Sequence, residues 1–188
     1  MRWGFKAGIG IGAIGVIALI AVMAQGGGPT WRYIGVGGGS VWPSETGGCE
    51  PAELLEFGSD ECYYGCEFDA GEYLQVTIPG MPGGYRPNTV LYVRIHQAAT
   101  VGTGENTWKV QGQALGDTDA LSGTWGDAVS VVDTIASVNT MCISTKSTAI
   151  TIANGLAPYE VLQLRVELDV EASTTTYYMG MQYEFAGS

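Results

Sequence analysis

The chain is poor in positive charge, with eight Lys and Arg against nineteen Asp and Glu and a formal net charge of −11. That excludes nucleic-acid binding, because phosphate recognition needs clustered cations that release counterions. Histidine is nearly absent. The single one, His96, lies in the alternating run TVLYVRIHQ, where it reads as a packed or surface residue and not as a base. With no second histidine, and no serine or acid in motif context, a Ser-His-Asp set cannot be assembled. Phosphate-cradling loops are missing as well: Gly8-Ile9-Gly10 belongs to an apolar run, and GVGGGS has no strand-to-helix setting. Past residue 50 no stretch carries helical periodicity, which excludes a helical bundle. The expectation is therefore no enzyme, no cofactor and no bound metal.

What is present points elsewhere. Charged residues are 14% of the chain, hydrophobic residues 46%, and glycine contributes 29 positions. That balance can build a core and favours strands joined by tight turns. The run AGIGIGAIGVIALIAVMA from Ala7 to Ala24 carries no charge. A helix of that length reaches roughly 27 Å, near the hydrocarbon thickness of a bilayer. Residues 1–24 therefore read as a transmembrane helix with a short basic flank. Arg2 and Lys6 before it place the rest of the chain on the non-cytoplasmic face. A cleavable signal peptide ending at Ala24 is the rival reading. Within residues 1–24, Gly4, Gly8, Gly12 and Gly15 leave one helical face nearly bare, suited to close packing against a partner helix.

Residues 25–48 are rich in Gly, Pro and Ser and read as a linker. Inside it the island TWRYIGV is suited either to a membrane surface or to an edge strand. Residues 49–188 then form the domain, with a cysteine-rich lead-in over 49–71. Cys49, Cys62, Cys66 and Cys142 are an even set on the translocated side, which suggests disulfides of open connectivity. The spacing lacks the paired C-x-x-C knuckles of a zinc site. Acidic runs at Asp60, Glu61, Glu67, Asp69 and Glu72, and at Asp117 and Asp119, match no calcium-loop pattern and read as solvated loops.

From Glu72 onward the apolar residues recur at period two. Leu74, Val76 and Ile78 alternate with Tyr73, Gln75 and Thr77. In VLQLRVELDV, Leu162, Leu164, Val166 and Leu168 are expected to face inward, with Gln163, Arg165, Glu167 and Asp169 facing water. TWKVQGQAL, DAVSVVDTI and STAITIAN read as further strands. YYMGMQYEF sets Tyr177, Met179, Met181, Tyr183 and Phe185 on one face. About seven or eight such strands predict an all-β, jelly-roll-like antiparallel β-sandwich.

The block TWKVQGQALGDTDALSGTWGDAVSVVDT, followed by STAITIANGLAPYEVLQLRVELDVEASTTTYYMGMQYEF, resembles a β-sandwich domain recurring in phage and environmental viral structural proteins. The matching positions are Trp108, Trp125, Gly126, Val129, Val131, Asp133, Thr134, Leu156, Pro158, Leu162, Leu164, Arg165 and Val166. The resemblance implies a non-catalytic virion part, partnered with a lipid bilayer and with neighbouring structural proteins, as a homo-oligomer or a multi-subunit complex. It makes Trp108 and Trp125 core or interface anchors. Two other classes stand beside that reading: an accessory subunit of a cellular membrane complex, and a surface binding module for glycans. The last would need grouped exposed aromatics, for which Tyr63, Tyr64, Tyr85 and Tyr178 are candidates.

Overall fold

The computed structural model describes residues 31–35, 41–43, 53–56, 62–78, 90–120, 123–155, 160–172 and 175–186. The proposed transmembrane helix, with Gly4, Gly8, Gly12 and Gly15, lies outside them, as does Cys49. Twelve strands run β1 Arg32–Gly35, β2 Val41–Pro43, β3 Glu53–Glu56, β4 Cys62–Phe68, β5 Tyr73–Ile78, β6 Val90–Val101, β7 Gly104–Leu115, β8 Val129–Ile135, β9 Cys142–Ile143, β10 Ile152–Ala153, β11 Val161–Val170 and β12 Thr175–Ala186. No helix occurs among the described residues, so none there is long and apolar enough to cross a membrane.

The strands form two six-stranded sheets that pack as a sandwich. Sheet A has the order β3-β4-β12-β6-β9, with β1 beside β4 on the same edge of β12. Sheet B has the order β10-β7-β11-β5-β2, with β8 beside β10 on the same edge of β7. Pairing is antiparallel except for the two-residue contact of β10 with β7. TWRYIGV thus supplies an edge strand, β1.

Period-two alternation builds the core as the sequence implies. Leu74, Val76 and Ile78 of β5 and Leu162, Leu164, Val166 and Leu168 of β11 are buried, and the residues between them are half-buried on the outer face. They meet Leu91, Val93 and Ile95 of β6, and Phe68, Trp108 and Tyr178 form an aromatic knot in the middle. At ~25 cal/mol per Å² of apolar area removed from water, this layer is the main stabilising term.

Two strands depart from expectation. YYMGMQYEF does not keep one face: Tyr178, Met181 and Tyr183 join the main core, while Tyr177 and Met179 pack with Ala98 in a separate cluster. The register of β12 against β6 shifts between Tyr178 and Gly180, where Gly180 has φ 143°. One extra residue at a bulge moves every later side chain to the opposite face. STAITIAN is also not one strand. Ile150 bridges Leu91 on sheet A, whereas Ile152 and Ala153 pair with β7 on sheet B. The segment crosses between sheet edges and stays long on neither.

The edge of β6 near this crossing is completed by serines. Ser144 and Ser147 each accept a backbone N–H through Oγ, from Ile95 (2.8 Å) and Val93 (3.0 Å). Their own N–H groups donate back to Ile95 O and Val93 O. Buried backbone groups must be paired, and here hydroxyls stand in for a missing strand.

A polar network sits inside one end of the sandwich. Trp108 Nε1 donates to Gln97 Oε1 (2.8 Å), and Asn106 Nδ2 donates to Gln97 Oε1 (3.0 Å) and Thr176 Oγ1 (3.1 Å). Gln97 Nε2 donates to Asp133 Oδ2 (3.0 Å), and Ala172 N donates to Asn106 Oδ1 (3.0 Å). Gln97, Asn106 and Thr176 are fully buried. Their mutual bonding offsets the desolvation that each would otherwise suffer.

The disulfide expectation is corrected. Among the described residues there is no disulfide: Cys142 is a free thiol on β9 whose Sγ lies 3.9 Å from Thr140 O. Cys66 is buried on β4, opposite Tyr178 of β12. Cys62 opens the same strand.

Candidate functional site

The outer face of sheet B carries a lattice of polar side chains that the strand registers set out in rows. Gln163 of β11 stands between Gln113 of β7 and Thr77 of β5; Arg165 between Gln111 and Gln75; Glu167 between Lys109 and Tyr73. These residues sit outward because their neighbours along each strand are the apolar ones that fill the core. The lattice spans roughly 10 Å across three strands and, from Gln163 to Asp169, roughly 20 Å along β11.

Its groups are held in place by one another. Gln113 Nε2 donates to Gln163 Oε1 (2.7 Å), and Gln111 Nε2 donates to Gly126 O (2.9 Å). The Arg165 guanidinium lies 3.8 Å above the Tyr73 ring and its Nη2 pairs with Glu167 Oε2 at 2.9 Å. Lys109 Nζ pairs with Asp169 Oδ1 at 2.5 Å, and this hydrogen bond raises the lysine pKa above its ordinary value. Among the described residues, each cation of the face is therefore matched to a carboxylate. What remains on offer is neutral hydrogen-bonding capacity, namely side-chain amides and a threonine hydroxyl.

The corner at Gln113 is walled by the chain leading into β8. Gln113 is 1% exposed, and its Oε1 is buried without a hydrogen-bond partner. A Cβ at Gly123 would come within 3.1 Å of that oxygen.

The singled-out residues fall elsewhere. Trp108 is fully buried in the core, and Trp125 is half-buried just before β8. Tyr178 belongs to the core knot, Tyr63 and Tyr64 are exposed on β4, and Tyr85 lies outside the described residues. His96 is buried on the outer face of sheet A, against the Tyr33 ring. Near Asp69 and Glu67, burial raises the Glu171 pKa, and those two carboxylates add to the rise. No group of three or more His, Cys, Asp or Glu among the described residues could hold a metal ion.

Sequence reasoning passed over the lattice residues. Their only signal is that they are the polar half of an alternating strand. Nothing in one strand names its neighbours, so the rows exist only once pairing is known.

The sequence matches no protein-family model and no curated protein. Its fold is shared with solved structures of carbohydrate-binding modules. The CBM22-2 xylan-binding domain of Paenibacillus barcinonensis Xyn10C has a TM-score of 0.50 at 10% identity, over 84% of this chain and 99% of that one. The xylan-binding domain from CBM 22 formerly called x6b has a TM-score of 0.47 at 14% identity, over 87% and 99%. The Paenibacillus neighbour overturns the expectation of a phage or viral structural part partnered with lipid and with other shell proteins. What the likeness establishes for this chain is the fold, an all-β two-sheet sandwich.

Proposed function

We propose that the domain is a non-catalytic carbohydrate-binding module that holds an uncharged polysaccharide on the outer face of sheet B. The observation that carries this reading is the ordered lattice of Gln75, Gln111, Gln163 and Thr77 around Arg165 and Tyr73. Sugar hydroxyls both donate and accept, and side-chain amides answer them in both senses. A rigid polar face also binds without first ordering its side chains, which reduces the entropic cost of association. Among the described residues of this face, the ion pairs Lys109–Asp169 and Arg165–Glu167 leave no unmatched cation to attract a uronate or sulfate. A net charge of −11 disfavours anionic polymers further. The sandwich itself does not choose a function, since such folds host many. The jelly-roll-like winding belongs to the same reading, supported by a chain that passes repeatedly between the sheets. The charge flanks of the N-terminal apolar run support placing the module on the non-cytoplasmic side.

Xylan is the first polymer to test, because the Paenibacillus neighbour is a xylan-binding domain. Titration calorimetry of the full chain is expected to show binding to one or more neutral polysaccharides. The double variant Gln111→Ala, Arg165→Ala should weaken it at least about tenfold, or ~1.4 kcal/mol. Equal affinity in that variant would move the site off this face. Absence of binding across a panel of neutral and acidic glycans would end the carbohydrate reading altogether.

A further inference from the structure

The outer face of sheet A holds the chain's one histidine in an unusual setting, and the first strand closes over it. Residue by residue, β1 lies antiparallel to β12, with Tyr33 opposite Gln182 and Gly35 opposite Gly180; Gly180 in turn faces His96 across β6. The Tyr33 ring sits over this glycine pair: a Cβ on Gly180 would come within 2.6 Å of Tyr33 Oη, and one on Gly35 within 3.0 Å of the ring. Its hydroxyl donates to Met179 O (2.9 Å), and its ring centroid is 5.0 Å from that of His96. Just before the strand, Trp31 stacks under the Arg94 guanidinium at 4.6 Å. These contacts, with Ile34 against the core, fasten a strand of only four residues.

We propose that β1 is an acid-sensitive latch, docked while His96 is neutral and released when His96 takes up a proton. His96 is 6% exposed, and its Nε2 is buried without a hydrogen-bond partner. A neutral ring tolerates this position, but an imidazolium needs an acceptor or water at Nε2. The elements around it offer no carboxylate for the task. Gln182 on β12 bonds its side chain, Ile143 of β9 stands opposite it, and Arg94 is two residues away on its own strand. Lys146 is taken by Glu184 on β12 (3.0 Å), Glu67 on β4 accepts from Tyr177, and Arg32 on β1 is exposed on the strand face opposite Tyr33. The Tyr33 ring attracts a cation weakly, yet burial is the larger influence and lowers the His96 pKa, with the Gln182 bond opposing it. Tyr33 is the ring that lies against His96 (centroids 5.0 Å), and lifting β1, a short edge strand of the kind found at the low end of local stability, admits water beside the imidazole.

The direction in pH follows. A histidine whose folded pKa lies below its unfolded value is fully compatible with the docked state above about pH 6.5. Stability of the docked strand then falls as pH drops below that value, and levels off beneath the lowered folded pKa.

Because His96 is the only histidine, its imidazole resonance can be followed in the full chain without assignment ambiguity. The experiment measures that titration alongside hydrogen exchange of the Tyr33–Gly35 amides, corrected for intrinsic rates. Protection of β1 is expected to fall at least tenfold through the range in which the imidazole titrates, and the two midpoints should coincide. In His96→Gln the protection should lose its pH dependence. Protection that is flat while the imidazole titrates, or midpoints that differ, would overturn the latch; so would an unchanged pH dependence in His96→Gln. Should His96→Gln never dock β1, the coincidence of midpoints in the native chain decides alone.

Discussion

Trp108→Ala is expected to destabilise the domain by about 3–5 kcal/mol, the range for removing a large aromatic from a packed core. Trp108 is 0% exposed and stacks against both Phe68 (5.2 Å, edge-on) and Tyr178 (5.9 Å). These rings come from β7, β4 and β12, so the indole joins sheet B to sheet A through side chains alone. The hydrogen bond to Gln97 Oε1 adds a second loss. Asn106 still donates to that oxygen, so the glutamine is not left unpaired, and the polar share should be about 1 kcal/mol. Trp108→Phe separates the two effects by keeping most of the packing while removing the donor. Denaturant unfolding of both variants checks the prediction. A loss under 1 kcal/mol for Trp108→Ala would show that the sheets are held together elsewhere.

The second large effect is expected at Gly126→Ala, with a loss of about 2–4 kcal/mol from overpacking against backbone. A Cβ there would fall inside contact distance of Thr151 O, and would stand 2.7 Å from Thr151 C and 3.2 Å from Ala153 N. All three are main-chain atoms, which cannot swing aside as a side chain would. The collision falls where three hydrogen bonds meet: Gly126 N to Gly112 O (2.9 Å), Gly112 N to Thr151 O (3.2 Å), and Gln111 Nε2 to Gly126 O (2.9 Å). Pushing Thr151 away strips β10 from β7, and moving Gly126 frees Gln111 on the proposed glycan face. Thermal unfolding and polysaccharide titration should therefore both change in Gly126→Ala. A nearby control, Gly155→Ala, meets no atom within 4 Å but carries φ 69°, so it reports backbone strain without collision. It should cost about 1 kcal/mol and leave binding intact. Equal losses in the two variants would remove the steric argument.

The sequence by itself determined the strand character of the domain and which half of each regular strand is apolar. In β5 and β11 this reading held residue by residue, because period-two alternation is a property of one strand and needs no partner. It also determined that the chain holds a single histidine, which is a matter of counting. Trp108 stood out in the sequence as an anchor. Its position between the sheets depended on which strands bring Phe68 and Tyr178 against it.

Tertiary structure decided the rest. The bulge before Gly180 reversed the expected faces of Tyr177 and Met179, because a one-residue insertion in a ladder is set by the facing strand. STAITIAN alternates well, yet its hydrogen bonds divide between two sheets, and alternation carries no address for its partners. The rows Gln113–Gln163–Thr77 and Gln111–Arg165–Gln75 gather residues up to 90 positions apart, the separation of Gln75 from Arg165. Polar residues on one strand say only that a face meets water. Whether they form a lattice with matched charges depends on register, which is fixed by side chains packing on the opposite side of the same sheet.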